Sequence, residues 1–248
     1  EAMIDREPIT VVCSQMGWVR AMTGHIDLAR GLKFKDGDGP RFTFHAETTD
    51  KLLIFGTNGR FYTVVAANLP GGRGMGEPLR LIVDLPNESE IVDIIVYQSG
   101  MRLLVASDAG NGFIVPEDDV IAQTRAGKQV LNVGDGLAKV CKRVNGDHVA
   151  IASENAKLLV FALDELPEMG RGKGVRLQKY KSVRGRQGTL EIDGGLSDIT
   201  TFAISDGLSW PMGGGKTRTE TDMTEWKATR GGVGKRPPHG FPKKNKFS

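Results

Sequence analysis

The sequence is poor in the side chains that build most reactive centres: two cysteines, four histidines and three tyrosines in 248 residues. Cys13 and Cys141 are too far apart for a Cys-x-x-Cys pair. Each sits in or beside an apolar run, so they read as two buried free thiols in a reducing cytosol rather than a secreted disulfide framework. His25, His45, His148 and His239 are scattered, with no His-x-x-x-His spacing for a metal ion. No run of 18 apolar residues is present, which excludes a membrane-spanning helix. Neither sign of charge dominates, the net being only +3. The opening Glu1-Ala2-Met3-Ile4-Asp5-Arg6 has no signal-peptide character and reads as a cut from a longer protein. What is abundant is glycine, 33 residues beside 11 prolines, a balance that favours turn-rich β structure.

Two motif echoes fail on inspection. Gly215-Lys216-Thr217 ends like a phosphate-binding P-loop, but the position that needs the first glycine holds Trp210. Asp36-Gly37-Asp38-Gly39 lacks the remaining ligands of a calcium loop and reads as a turn.

The near-neutral charge is unevenly spread. Arg171 to Arg186 holds seven basic residues and no acid, and Lys227 to Ser248 holds seven more, again with no acid. Fourteen of the 33 Lys and Arg residues sit there, which leaves 19 against all 30 acids, a net of −11 elsewhere. Such polarisation presents basic surface to a polyanion and acidic surface on other faces.

The organising feature is a repeated hairpin: an apolar strand, a tight turn, a second apolar strand. The copies are Thr10–Cys13 with Trp18–Met22, Leu52–Phe55 with Arg60–Val65, Leu103–Ala106 with Gly112–Val115, Val149–Ala152 with Lys157–Phe161, and Thr201–Ile204 with Leu208–Trp210. Short Val/Ile/Leu/Phe runs suit strands buried on both faces, and Ser, Asn, Asp and Gly suit the bends. With Gly17, Gly59, Gly110, Ala156 and Gly207 as turn markers, the spacings are 42, 51, 46 and 51 residues, the period of a bladed β repeat. Trp18, Phe61, Phe113, Phe161 and Trp210 occupy matching positions and read as core. No Trp-Asp blade ending marks a WD propeller.

Each hairpin is followed by Arg or Lys interleaved with Gly: Asp27–Lys35, Leu69–Arg80, Gln123–Lys128, Leu166–Arg176 and Trp226–Lys235. Glycine permits close backbone approach, so amide N–H groups and cationic heads can meet phosphate oxygens.

On Ser14-Gln15-Met16-Gly17-Trp18-Val19-Arg20, Arg73-Gly74-Met75-Gly76-Glu77-Pro78-Leu79, Leu103 to Phe113, Arg125-Ala126-Gly127-Lys128 and Arg186-Gln187-Gly188-Thr189-Leu190, the chain resembles the C-terminal domain of the bacterial topoisomerase IV A subunit (ParC), a relative of the gyrase A C-terminal domain. The resemblance implies an all-β pinwheel, a propeller-like open ring of about five four-stranded blades with strand exchange. Its basic rim would bind and bend duplex DNA and help select the transported segment for relaxation and decatenation. Gyrase carries a Gln-Arg-Arg-Gly-Gly-Lys-Gly box after its first hairpin. Here Ala29-Arg30-Gly31-Leu32-Lys33 is a degraded form, which favours topoisomerase IV.

The expected layout is a linker over 1–8, a pinwheel over 9–236 and a basic, mobile tail over 237–248. The expected DNA contacts are Arg30, Lys33, Lys35, Arg73, Arg80, Arg125, Lys128, Arg171, Lys173, Arg176, Lys179, Arg184, Arg186, Lys227, Arg230, Lys235 and Arg236. The domain is expected to be non-catalytic, with no cofactor, metal or small-molecule substrate of its own. Tyr62, Tyr97 and Tyr180 do not lie in a DNA-cleavage context. The resemblance assigns ATP and Mg to the holoenzyme, whose further partners are the B subunit (ParE) and a second copy of the ParC chain. It implies a cytoplasmic, nucleoid-associated location, and allows peripheral membrane association of the holoenzyme. Two alternatives stay open: a gyrase-type DNA-wrapping domain, and a propeller-like protein-interaction scaffold that uses the acidic surface.

Overall fold

The computed structural model describes residues 3–248; Glu1 and Ala2, the start of the expected linker, lie outside the described residues. The chain forms two compact units, Glu1–Ser99 with Val120–Gln129, and Gly100–Asp119 with Val130–Ser248.

In the first unit β1 (Pro8–Ser14) and β2 (Trp18–Thr23) form a hairpin, and β3 (Pro40–Glu47) pairs with the free edge of β1. The chain then leaves this sheet to make a second hairpin from β4 (Lys51–Gly56) and β5 (Arg60–Val65). Only afterwards does β6 (Glu77–Pro78) return to β2, giving the order β3-β1-β2-β6. β7 (Ile91–Val96) joins β4.

The same device recurs. After the hairpin of β8 (Arg102–Ser107) and β9 (Asn111–Pro116), β10 (Lys128–Gln129) returns to β5, so the second sheet reads β10-β5-β4-β7. In the second unit β11 (Ala138–Arg143) pairs with β8. β12 (His148–Ser153) and β13 (Leu158–Ala162) form the fourth hairpin, and β14 (Val175–Arg176) then returns to β9. β15 (Lys181–Arg184) and β16 (Leu190–Asp193) make a separate two-stranded ribbon. β17 (Leu196–Phe202) pairs with β12, and β18 (Leu208–Gly213) with β19 (Lys216–Glu220) forms a last hairpin. The return strand of the fourth sheet is reduced to bridges at Val160–Lys227 and Leu158–Lys235. The all-β, bladed architecture with strand exchange is therefore the one the chain adopts. Among the described residues three sheets have four strands, one has three with this partial clasp, and the last hairpin stands as two.

The first four hairpins stand where the apolar runs placed them; the fifth does not. Thr201 and Phe202 belong to β17 and pair backward with Val149 and His148, and the last hairpin turns at Gly213-Gly214-Gly215 instead of Ser205-Asp206-Gly207. A short apolar run does not reveal whether it pairs forward or back. β17 is committed to β12 by Leu196 and Ile199, both buried in the core of that sheet. The P-loop echo at Gly215-Lys216-Thr217 is this hairpin turn, with all three glycines at positive φ.

The central strands are buried on both faces, which explains their lack of alternation. Leu52, Leu53, Ile54 and Phe55 of β4, and Leu103, Leu104, Val105 and Ala106 of β8, have almost no exposed surface. Phe61, Phe113, Phe161 and Trp210 are core as expected; Trp18 is half-buried under Lys35, whose Nζ lies 3.3 Å from the ring centroid. The two cysteines are free and buried, and burial pushes the Cys13 thiol up to about 12. Behind the hairpin of β8 and β9, Glu117 is fully buried and receives two 2.8 Å hydrogen bonds from the Arg143 guanidinium.

The tail expected to be mobile is packed. Phe241 stacks edge-on between Trp210 and Phe247, with centroids 5.3 and 5.5 Å apart, and Asn245 donates to the Glu154 carbonyl. The Phe247 N–H donates to the Asp198 carboxylate at 2.9 Å. Lysine and proline content concealed two aromatic anchors, which hold a short segment through burial and ring contacts.

Gly174 has φ +79, and a Cβ there would lie 2.2 Å from the Gly112 carbonyl oxygen. Gly174→Ala should therefore lower stability by about 2 kcal/mol or more, read as a shifted urea midpoint; an unchanged midpoint would show that the return strand can relax. Both thiols should resist a thiol reagent at pH 8 in the folded chain and react once it is unfolded.

Candidate nucleic-acid interface

The basic glycine-rich segments are built by the strand exchange. Each is fastened at two points to the second strand of a hairpin. In the first sheet Gly71 bridges Ala21 in parallel, and Glu77 pairs with Val19. In the third, Glu168 bridges Ile114 and Val175 pairs with Gly112. In the fourth, Lys227 bridges Val160 and Lys235 bridges Leu158. Each pair of anchors is two strand positions apart, about 7 Å of extended chain. Five to seven residues must fit between them: 72–76, 169–174 and 228–234. The surplus is forced out of the sheet as a loop. The second sheet has the corresponding segment after Ala122, whose N–H donates to Thr63 Oγ1, and before Lys128, which pairs with Phe61.

The glycine that ends each loop has a structural task. Gly76, Gly127, Gly174 and Gly234 all have positive φ, and a Cβ on any of them would lie 2.2 to 2.7 Å from a carbonyl oxygen, of Val19, Phe61, Gly112 and Leu158 in turn. Several loop amides are also used within the fold: Gly127 N–H donates to Thr124, Gly172 to Val130 and Gly231 to Leu177. These four glycines thus serve backbone-on-backbone contact between chain segments, and the charge of the loops is carried by side chains.

Those side chains fall into two groups. Arg73, Arg171, Lys173, Arg176, Lys179, Lys227, Lys235 and Arg236 are exposed on the loops or beside their anchors, as is Lys128. Arg184 and Arg186 are exposed on the β15–β16 ribbon. Arg125 is exposed, but donates to the Leu81 carbonyl and lies 3.5 Å from Asp84. Arg80 and Arg230 differ. Arg80 donates to the carbonyls of Pro86 and Ser89, and Arg230 to those of Glu165 and Arg176. Both are half-buried loop staples, so neither is placed as a free phosphate contact.

The segment Asp27–Lys35 is not a clasp loop, since it lies between β2 and β3. It is nevertheless drawn to one. The buried Arg20 donates from Nη2 to the Lys33 carbonyl and from Nη1 to the Gly74 carbonyl, so Arg30 and Lys33 share a locality with Arg73. Arg60 holds the next loop likewise, donating to the carbonyls of Ala126 and Gly127. Sequence reading missed both positioning arginines. Their signal was a lone charge in an otherwise apolar strand.

In the second unit the opposite ends of the hairpins are acidic. The 3-10 turns after β9 and β13 carry Glu117, Asp118, Asp119, Asp164 and Glu165, with Asp118, Asp119 and Asp164 exposed. The basic loops are anchored near the starts of those same strands, where Lys173 shares a recess with Asp108 and Asp135. The histidines are less scattered than their sequence positions suggest: the rings of His25 and His45 stack with centroids 4.5 Å apart. No group of three or more His, Cys, Asp or Glu side chains among the described residues could hold a metal ion. The Asp36–Gly39 segment is a turn in which burial would raise the Asp38 carboxyl. Hydrogen bonds from the Ser14 hydroxyl and the N–H groups of Gly39, Met16 and Gln15 outweigh burial and hold the carboxyl below the usual range.

A family model described as DNA gyrase C-terminal domain, beta-propeller, matches residues 50–98, 102–144 and 147–182. The A subunit of DNA topoisomerase 4 from Rickettsia bellii is 46% identical over 248 residues, all of this chain and 32% of that protein. The Caulobacter vibrioides protein of the same name is 44% identical over 247 residues, all of this chain and 31% of that protein. The chain thus spans about a third of the length of these relatives. Among solved structures the E. coli ParC C-terminal domain superposes with a TM-score of 0.78 at 27% identity, covering 96% of each chain. A gyrase A C-terminal domain superposes at 0.59 and 17% identity over 92% of this chain and 76% of that one, a likeness of fold alone.

Arg230→Ala should lower stability by about 1 kcal/mol, because it removes the donors of the part-buried Glu165 carbonyl and of the Arg176 carbonyl. Arg171→Ala should stay within about 0.5 kcal/mol of the parent, as surface changes do. Denaturant titration of both variants separates staple from contact, and equal effects would collapse the distinction.

Proposed function

This chain belongs to the DNA gyrase C-terminal domain, beta-propeller family, and from that premise we propose that it is the duplex DNA-binding domain of a topoisomerase IV A subunit. The observation that carries the reading is the forced loop. Strand exchange pushes Arg73, Arg125, Arg171 and Lys173 out of the sheets, and a repeat of such loops offers cations at intervals to a polyanion. Their flexible heads reach phosphate better than base edges, so binding discriminates little among sequences and depends strongly on salt. Bending a short duplex over the loops costs on the order of 1–6 kcal/mol, which several phosphate contacts must offset. The degraded box at Ala29–Lys33 lies beside Arg73 and leaves two exposed cations there, Arg30 and Lys33, which favours bending and segment selection over a full wrap.

In this reading the domain contributes no catalytic group. Strand cleavage, ATP and Mg belong to the rest of the holoenzyme, as do the contacts with ParE and with the second ParC chain. The domain's work is to hold one duplex in a bent path, in a cytoplasmic, nucleoid-associated enzyme.

Filter binding at several salt concentrations tests it. The slope of log K against log salt should be steep, about −0.9 for each phosphate neutralised. Replacing Arg171, Lys173 and Arg176 together with Ala should weaken binding uniformly across sequences and flatten the slope by about 2–3. A slope near zero for the parent chain would end the electrostatic reading. Unchanged affinity in the triple variant would move the DNA surface elsewhere.

A further inference from the structure

One strand position differs in the first sheet. Beneath each clasp loop lies the residue of the hairpin's second strand that sits between the two anchors: Arg20 between Val19 and Ala21, Phe113 between Gly112 and Ile114, and Leu159 between Leu158 and Val160. In the second sheet it is Tyr62, between Phe61 and Thr63. The hairpin register confirms the equivalence, since Arg20 faces Val12, Tyr62 faces Ile54, Phe113 faces Val105 and Leu159 faces Ile151. Tyr62, Phe113 and Leu159 are core; Arg20 is a guanidinium at the same depth, 5% exposed. A buried cation costs free energy unless its donors are met, so the arginine must hold partners that a leucine there would not.

Its fork reaches in two directions. Nη1 donates at 2.9 Å to the Gly74 carbonyl, in the loop above it, and Nη2 at 2.6 Å to the Lys33 carbonyl, in the segment between β2 and β3. Phe34 lies over the guanidinium, its ring centroid 5.5 Å from Cζ. Because the fork is planar and rigid, the two carbonyls stay within about 8 Å of one another. The later loops are held differently. The chain that follows one return strand is hydrogen-bonded to the next loop: the Asp84 N–H donates to the Arg125 carbonyl, Asn132 to Gly172 and Lys179 to Gly232. The first loop follows no earlier return strand among the described residues, and the 27–35 segment takes that place through Arg20.

We propose that Arg20 is a positioning residue for DNA: it pins the 27–35 segment to the first clasp loop, so that the exposed Arg30 and Lys33 join Arg73 in one cluster that engages neighbouring phosphates of a duplex. The inference rests on the DNA-binding reading above and names a determinant within it. Segment and loop together carry four cations, Arg30, Lys33, Lys35 and Arg73, against one acid, Asp27, whose carboxylate accepts the Ala29 N–H. Arg20 itself is buried and touches no phosphate; it acts through the two carbonyls. A free segment loses conformational freedom when it binds, whereas one already pinned does not. Lysine cannot replace the arginine, because a single ammonium lacks the fork that spans both carbonyls.

Arg20→Leu in the full chain is the first variant, because Leu159 fills the same position in the fourth sheet. Its urea midpoint should equal or exceed that of the parent. Trypsin should cut faster after Arg30 and Lys33, mapped by mass spectrometry. Affinity for a short labelled duplex should fall about tenfold, and the slope of log K against log salt should flatten by about 2, the worth of two phosphate contacts. Arg20→Lys should reproduce the trypsin, affinity and slope changes. Phe34→Ala leaves β2 untouched and should move the same three readings in the same direction, which keeps the test open should Arg20→Leu not fold. Unchanged trypsin protection in the folded variants would overturn the proposal. Faster cleavage with unchanged affinity and slope would also overturn it, while the DNA reading would stand. Failure of the parent chain to bind duplex at low salt would end the DNA reading, and the proposal with it.

Discussion

The structure depends on one close approach of backbone to backbone. A returning segment must lie against the second strand of a hairpin already formed. At its tightest point the chain passes so near a carbonyl oxygen that a single added carbon would collide with it. Gly76, Gly127, Gly174 and Gly234 stand at that point in four sheets, all with positive φ. Were these positions occupied by side chains, the sheets would lose their edge strands and the link to the following hairpin. The basic loops would then have no fixed base.

From that constraint the rest follows in order. The return segment is anchored twice over two strand positions, so the residues between must leave the sheet. Because they leave it, their side chains face solvent, and arginine or lysine there is displayed without cost to the core. Arg20 and Arg60 fix the loop backbones by donating to their carbonyls, and Arg80 and Arg230 hold neighbouring connections in the same way. Arginine therefore has two roles in this fold, internal staple and external charge, and the exposed Arg125, which donates to the Leu81 carbonyl, combines them. The guanidinium suits the first role because its planar fork can satisfy two carbonyls at once.

Much of this was legible in the residues. The apolar runs at Leu52–Phe55, Leu103–Ala106 and Val149–Ala152 announced strands buried on both faces, and their turn residues announced hairpins. The recurrence of Arg or Lys beside Gly marked the loops. What the pattern did not carry was the reason for the glycines, because close approach to a distant carbonyl leaves no local trace. It also did not separate Arg230 from Arg171, since both stand next to glycine and only their surroundings differ. The last hairpin was displaced for a related reason: Thr201–Ile204 has strand character, but the partner of a strand is chosen elsewhere in the chain. The tail was read from its lysines, while Phe241 and Phe247 decided its placement.

The sequence alone determined the fold class, the hairpin period, the free buried thiols and the concentration of cations in glycine-rich segments. These depend on local propensity and composition, which a chain carries wherever its parts end up. Only the tertiary structure decided which segment closes which sheet, which arginines are consumed as staples, and that the β15–β16 ribbon stands exposed. Those outcomes depend on distances between residues 40 to 80 positions apart, such as Arg20 to Gly74 or Leu158 to Lys235, and such distances exist only once the chain has closed on itself.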